Sequence, residues 1–484
     1  MHARWTFLLD LLVSANVATG SPIHDHDQGA ANTTIIGGSH SAATTPFWQQ
    51  YNYCQGRNIG ATWSPLQDAH MVKLQVMHRH GGRSPASPGI PGDTTQWYQC
   101  GNPDEVVFMN MGNMISDNRS PFMKEMTTIN GAFAYTMWQG NCDLGELTTF
   151  GSNQLQRLGD TLRSTYVDDL GFLPKKMDPG FKISHTYIGR TRQSVENLMN
   201  GLYPLHTRNL GDTLTMHVKP SGIETMLTPS SACPKLAEII SSYSSSSAYK
   251  ETLAPYAALQ DKLVKAYNTT GLAGYNTTAV LYDSASATYC HGLGLKGNLT
   301  PEDIQTAVIP GTSAYHNLFR QNPSAEQAKR LGVGAWLADI LTSLSDRSTK
   351  FEVYSAHDGS LDMFLSVVAD PDLPWPPFGS NVIIELWQKT NGQQVVRMFY
   401  EGMVVPAHPD LACDFSACPL DTLENTYGKR VKPALYDGLD DLDTTTAVAT
   451  QHDIVINTTL GFHSASTKAL LRGLAQRKAN VMVL

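Results

Sequence analysis

Three stretches of the chain share one grammar, an extended run that ends in a sharp polar turn, and this repetition constrains the fold more than any other feature. The first runs from Met71 to Met77, apolar at Met71, Val72, Leu74, Val76 and Met77, and ends in His78-Arg79-His80-Gly81-Gly82-Arg83. The second runs from Phe181 to Ile188, ends at Gly189-Arg190, and is followed by Val195, Leu198, Met199 and Leu202 at helical spacing. The third, Phe351 to Ala356, ends at His357-Asp358-Gly359 and continues into Leu361, Phe364, Leu365 and Val368, again at helical spacing. Short apolar runs closed by turns and followed by helical patterns predict the buried strands of an α/β sheet. Open α/β sheets bind ligands beyond the carboxyl ends of their strands. Three such ends bearing Arg, His and Asp are therefore expected to converge on one crevice.

The rest of the chain fits around that sheet. Leu155, Leu158, Leu162 and Tyr166 recur at helical spacing, and Ala325 to Leu344 places Ala328, Leu331, Ala335, Ile340 and Leu344 near one face of a helix. Val382 to Trp387 and Val395 to Tyr400 flank Asn391-Gly392, a hairpin signal. Residues of about 91–145 and 204–322 lack the strand–turn–helix grammar, hold most of the cysteines and suit an inserted cap; the Ser-rich run Ser241 to Ser247 reads as a loop. The expected class is α/β, with a central, mostly parallel sheet flanked by helices and a mainly helical cap inserted into it. The expected order is a signal peptide at 1–20, an irregular arm at 21–64, the α/β domain with its cap at 65–450, and an extension at 451–484.

At 484 residues, 41% hydrophobic and 16% charged, the chain can bury a large core. Its net charge of -8 argues against a nucleic-acid partner. An anionic substrate would have to be attracted by a local cluster of Arg. His2 and Arg4 precede the apolar stretch Trp5 to Val13, interrupted by Asp10, and small residues before Ser21 complete a signal-peptide pattern. Six Asn-x-Ser/Thr sequons, at Asn32, Asn118, Asn268, Asn276, Asn298 and Asn457, and seven dispersed cysteines point to the same secretory compartment. The cysteine spacing fits disulfides better than zinc and leaves one thiol over. No later run is apolar and long enough to span a membrane.

The strongest chemical signal is Arg79-His80-Gly81-Gly82-Arg83-Ser84-Pro85. Guanidinium forks bind phosphoryl oxygens bidentately, glycine admits close backbone approach, and neighbouring positive charge keeps a His neutral and nucleophilic in acid. One ring nitrogen would attack phosphorus while the other is held by a partner. Taken alone, the run also reads as a solvated basic turn. Asp358, before Gly359-Ser360-Leu361, reads alone as a helix N-cap.

Together these residues resemble the histidine acid phosphatases, the second branch of the histidine phosphatase superfamily. The family's R-H-G-x-R-x-P is met at Arg79, His80, Gly81, Arg83 and Pro85, and its H-D pair at His357 and Asp358. Arg190 looks like the family's second-segment phosphate-binding Arg, with Arg192 as near competitor. Leu147-Thr148-x-x-Gly151, Leu158-Gly159-x-x-Leu162-Arg163, Ile384-Glu385-Leu386-Trp387 and Cys418-Pro419-Leu420 extend the resemblance over most of 65–430. Asn141 to Thr148 and Tyr354 to Asp358 look most like the 2-phosphoxylose phosphatase subgroup, but the cap matches less well. The resemblance implies hydrolysis of phosphate monoesters without metal or other cofactor. His80 would become a phosphohistidine, Arg79, Arg83, Arg190 and His357 would bind the phosphate, and Asp358 would donate the proton. It also implies a short Cys413–Cys418 bridge; Cys100 with Cys142 is a guess.

Weaker signals are set aside. Gly292 to Gly297 matches G-x-G-x-x-G without a preceding strand, and Thr300 is placed to cap a following helix. His24-Asp25-His26-Asp27 and Asp437 to Asp443 read as solvated segments and not as metal sites. Trp97, Tyr98 and Trp138 could line a mouth or fill the cap core. The alternatives to a broad phosphomonoesterase are a phytase-type specialist, a phosphoryl transferase between hydroxyls, and a non-catalytic secreted glycoprotein that kept the fold.

Overall fold

The computed structural model describes residues 51–60, 63–87, 89–100, 137–209, 213–229 and 233–431, together with Gly131 and the backbone of two short strands at 106–108 and 122–124. The expected signal peptide, residues 21–50 of the arm with the His24 to Asp27 cluster, the Asp437 to Asp443 run, the extension 451–484, and Asn32, Asn118 and Asn457 lie outside the described residues.

In chain order the strands are β1 (Ala69–Arg79), β2 (Gln96–Trp97), β3 (Val106–Phe108), β4 (Phe122–Lys124), β5 (Gln139–Gly140), β6 (Lys182–His185), β7 (Met216–Val218), β8 (Phe351–Ala356), β9 (Asn381–Lys389), β10 (Gln394–Tyr400), β11 (Met403–Val404) and β12 (Cys418–Pro419). The central sheet has the order β11-β10-β9-β1-β8-β6-β7, with β12 against β10. From β1 through β8 and β6 to β7 it is parallel, as expected; β9 and β10 continue it as an antiparallel hairpin. The hairpin turns at Asn391-Gly392, where Gly392 takes a φ of 85°. Parallel order is what aligns the carboxyl ends of β1, β6 and β8 at one edge.

Burial explains the order. All six residues of β8 are buried, as a strand covered on both faces requires. Leu74, Val76, Ile183, Val353 and Ile383 pack under α1 (Thr149–Leu162) and α2 (Gly189–Leu202). Their neighbours Met77, Tyr354, Val382 and Ile384 face the opposite layer, so the period of two supplies two cores from the same strands. α1 and α2 meet closely because a Cβ on Gly159 would lie 2.0 Å from the Leu198 carbonyl oxygen, and one on Gly201 2.1 Å from that of Gln156.

An additional helical region follows β7, in keeping with the expected cap: α3 (Pro234–Ser245), α4 (Ser247–Leu253), α5 (Ala257–Ala266), α6 (Thr278–Cys290) and α7 (Pro301–His316). Thr300 caps α7, and its capping box is closed by Asp303. α8 (Ala325–Gly332), α9 (Gly334–Ser345), α10 (Asp358–Val368) and α11 (Leu420–Val431) return to the sheet. Two expectations need correction. Ser241 to Ser247 is not a loop: Ser241 to Ser245 complete α3, held by the buried Ile239 and Tyr243, and Ser246 caps α4 through Tyr249 N at 3.0 Å. Ala325 to Leu344 is two helices, broken where Gly332 and Gly334 flank Val333.

Cys413–Cys418 and Cys100–Cys142 are disulfides, and a third, Cys54–Cys290, joins the N-terminal segment to the end of α6. Cys233 is the free thiol among the described residues. Such bonds persist in oxidising compartments. Among the described residues no helix is long and apolar enough to cross a membrane.

Candidate active site

β1 ends at Arg79, and the chain is gripped there at both sides. His80 N donates to the Ala356 carbonyl at 3.0 Å, and Gly379 N donates to the His80 carbonyl at 3.2 Å. Beyond, the backbone passes so near the first turn of α1 that a Cβ on Gly81 would lie 2.2 Å from the Gly151 carbonyl oxygen. The glycines thus admit another backbone, and Thr148 completes the crossing by capping Gly151 N at 3.2 Å and donating to Gly82 O.

His80 is buried, with Nδ1 2.8 Å from the Gly81 carbonyl oxygen. A carbonyl accepts only, so Nδ1 carries the proton and Nε2 the lone pair. Burial, then Arg190, Arg79, His357 and Arg83, hold the imidazole well below its usual 6.5. The ring therefore stays neutral as the medium turns acidic. His357, the residue after β8, lies with its ring centroid 5.3 Å from that of His80, and its Nε2 is 2.9 Å from Thr186 Oγ1. Burial and Arg190 depress its pKa too.

Three guanidiniums surround the pair. Arg79 is fully buried; it donates to Pro376 O at 2.7 Å and Tyr53 Oη at 3.1 Å, and its Cζ lies 4.1 Å from the Phe378 ring centroid. It forms an ion pair with Asp358 at 2.8 Å. Arg83 pairs with Asp283 at 2.9 Å. Arg190, in the first turn of α2, donates to Gly145 O at 3.3 Å and has Nη2 3.5 Å from His357 Nδ1. Burial, then the positive charge of Arg83, pulls Arg190 down to about 9. The Nε of Arg79, Arg83 and Arg190 is in each case buried without a hydrogen-bond partner. Arg192, two residues on and so on the other side of α2, instead pairs with Glu196 at 3.6 Å with a side chain 55% exposed.

Asp358 opens α10. Its Oδ2 accepts from Arg79 and, at 3.3 Å, from Trp375 Nε1, while Gly359 N donates to Oδ1 at 2.9 Å. The N-cap of α10 is His357 and not Asp358, which is the first residue of the helix; the Asp358 side chain, 23% exposed, belongs to the cluster. All six residues expected at the site, Arg79, His80, Arg83, Arg190, His357 and Asp358, thus gather at one sheet edge. Reading the sequence missed Asp283, Tyr53, Trp375 and Thr186, and the Gly81 carbonyl that holds Nδ1. One signal was available: Asp283 is a lone carboxylate within the Ala- and Ser-rich apolar run of α6, a pattern that implies a buried partner.

Other candidates fall elsewhere. Trp97 and Trp138 are core beside the Cys100–Cys142 bridge, whereas Tyr98 is 61% exposed. Gly292, Gly294 and Gly297 all take positive φ in the loop between α6 and α7. Asn268, Asn276 and Asn298 are exposed on the helical region. Among the described residues no group of three or more His, Cys, Asp or Glu is arranged to hold a metal ion.

Comparison with known proteins places this geometry. The model of the histidine phosphatase superfamily (branch 2) matches residues 70–401. Counting factor 60 of Dictyostelium discoideum is 25% identical over 393 residues, covering 77% of this chain and 89% of that protein. Human lysophosphatidic acid phosphatase type 6 is 24% identical over 377 residues, covering 74% and 83%. Among solved structures, Hafnia alvei phytase in complex with myo-inositol hexakis sulphate aligns with a TM-score of 0.51 at 14% identity, covering 76% of this chain and 99% of that one. The phytase of Klebsiella sp ASR1 aligns at 0.52 and 15%, covering 76% and 97%. The chain belongs to branch 2 of the histidine phosphatase superfamily, a family of phosphate-ester hydrolases.

Proposed function

We propose that the chain is an acid phosphatase that hydrolyses phosphate monoesters through a phosphohistidine on His80. The observation that carries this reading is the His80 ring itself. Its Nδ1 is tied to Gly81 O, its Nε2 bears the lone pair, and the guanidiniums of Arg79, Arg83 and Arg190 stand around it. A phosphate dianion is the partner such a cluster favours.

In the first step His80 Nε2 attacks phosphorus and the ester P–O bond breaks. Arg79, Arg83, Arg190 and His357 neutralise the non-bridging oxygens. Asp358 gives a proton to the leaving oxygen. In the second step water attacks the phosphohistidine, Asp358 takes a proton from it, and inorganic phosphate leaves with His80 neutral again. No step calls for a metal. The names of the relatives point to different phosphate esters, lysophosphatidic acid in one case and phytate in the other; what they share is the phosphate monoester. A broad small-monoester class is proposed for this chain, acting in the secretory pathway or outside the cell, where the three disulfides persist and the exposed sequons are open to glycosylation.

The test is release of p-nitrophenol from p-nitrophenyl phosphate at about pH 5 with a chelator present, for wild type and His80→Ala. Turnover in wild type and at least a thousandfold less in the variant is expected, on the order of what losing a covalent nucleophile costs. Equal rates would name a different nucleophile, and silence in both would leave a phosphate-binding protein.

A further inference from the structure

We propose that Asp283, on α6 of the helical region, is a positioning residue of the phosphate site that acts through Arg83; the proposal rests on the hydrolase reading above. Asp283 is buried. Its Oδ1 lies 2.9 Å from Arg83 Nη1, and its Oδ2 accepts from Ala86 N at 2.7 Å and Ser87 N at 2.9 Å. One carboxylate therefore fixes both the guanidinium and the backbone immediately after it, across 197 residues of sequence. Arg83 Nη1 also donates to Ser84 O at 3.1 Å, so the fork is held from two sides.

The neighbouring residue on α6 braces the second arginine of the same motif. Tyr282 Oη donates to Tyr53 Oη at 2.6 Å, and Arg79 Nη2 donates to that same Tyr53 oxygen at 3.1 Å. α6 ends at Cys290, bonded to Cys54, the residue after Tyr53. One helix outside the sheet thus orients Arg83 directly and Arg79 through a tyrosine relay. A guanidinium held at the right angle binds a phosphate bidentately; a free one must first give up its side-chain freedom.

A plain structural pair would behave differently. Buried ion pairs add little net stability, and losing one partner of such a pair weakens the fold without choosing a kinetic constant. Asp283→Asn retains the shape but places an amide NH₂ where a carboxylate oxygen stood. Whichever way it turns, that NH₂ faces a donor, either Arg83 or the Ala86 and Ser87 N–H groups. A positioning role predicts loss of phosphate binding more than loss of kcat.

The experiment measures kcat and KM on p-nitrophenyl phosphate, and the Kd of inorganic phosphate by calorimetry, for the full chain as wild type, D283N, R83Q and R83Q/D283N. KM and phosphate Kd are expected to rise about tenfold in D283N with kcat changed less, as when uniform binding is removed. The double variant should bind phosphate within about twofold of R83Q alone, because a residue that acts through Arg83 adds nothing once Arg83 is gone. Unchanged KM and Kd in D283N, or effects that multiply in the double variant, would overturn the proposal. Should D283N aggregate, D283E takes its place: the charge stays, the oxygens shift, and the same rise with the same non-additivity is expected. If wild type binds phosphate but turns nothing over, the hydrolase reading fails while the phosphate titration still decides for or against Asp283.

Discussion

A carboxyl that protonates a leaving oxygen matters in proportion to how much that oxygen needs the proton. Asp358 lies 2.8 Å from Arg79 and 3.3 Å from Trp375 Nε1, so its carboxyl is held from two sides. Asp358→Asn should retain that position while removing the proton. p-Nitrophenolate departs readily as an anion, whereas a glycerol alkoxide does not. In D358N, kcat on glycerol phosphate is expected to fall by about 10²–10⁴, the usual worth of general acid catalysis, with a much smaller loss on p-nitrophenyl phosphate. Equal losses on the two substrates would mean that Asp358 shapes the site and donates no proton. His80 carries the complementary property. A group that must attack at low pH has to resist protonation; burial supplies most of that resistance here, and the charges of Arg190 and Arg79 add to it. The three arginines that would hold the phosphate thus also add to what burial does in keeping the nucleophile unprotonated.

At the scale of elements, the decisive contact is the crossing of the turn after β1 over the start of α1. A Cβ on Gly151 would lie 2.1 Å from the Gly82 carbonyl oxygen, with the Gly82 nitrogen at 2.6 Å, so backbone must move to admit it. Gly151→Ala should cost about 1–3 kcal/mol or more, as overpacking does, read as a lower urea midpoint, and should impair turnover because the displaced turn carries His80. A wild-type midpoint would show that α1 can retreat freely. This crossing also marks where reading the sequence stops. The strand ends of β1, β6 and β8 were legible because each residue needed is adjacent to a hydrophobic run of the right period. The glycine pair was expected to bring backbone close to a phosphate, whereas what the structure lays against it is the start of α1, Gly151 and Phe150. The same holds for Asp283, Tyr53 and Trp375, which reach the site from separate segments and leave no periodic trace. Local pattern fixes an element and its ends, while the second layer of the site depends on which distant helix is laid against them. Ser241 to Ser245 erred in the same way: serine's preference for turns was overruled by the burial of Ile239 and Tyr243.

For the whole molecule, acid tolerance is a balance of opposed buried groups. Burial lowers His78 and His291 to about 4, and His80 and His357 are held down as well. Between about pH 4 and the ordinary histidine value of 6.5 the unfolded chain therefore binds more protons than the native one, and stability rises with pH over that window. Glu401 works in the other direction. It sits at the β10–β11 turn with a φ of 52°, accepts Arg57 N at 2.7 Å, and is pushed up to about 8 by burial. From its ordinary value near 4.5 up to 8 the native state keeps a proton that the unfolded chain has lost, so this contribution is full in acid and declines as pH rises. Glu401 thus offsets part of the histidine effect, one proton against those of four histidines, between its ordinary value and about pH 6.5. Glu401→Gln isolates the effect, because the amide oxygen still accepts from Arg57 N and carries no titration. The stability of wild type relative to E401Q should fall as pH is raised from 5 to 8, by at most about 1.4 kcal/mol per pH unit for a single proton, and then level off. Chemical unfolding of the two proteins across that range measures it. Parallel curves would show that Glu401 is already ionised at pH 5, and that the turn holding the N-terminal segment against the sheet contributes nothing to acid stability.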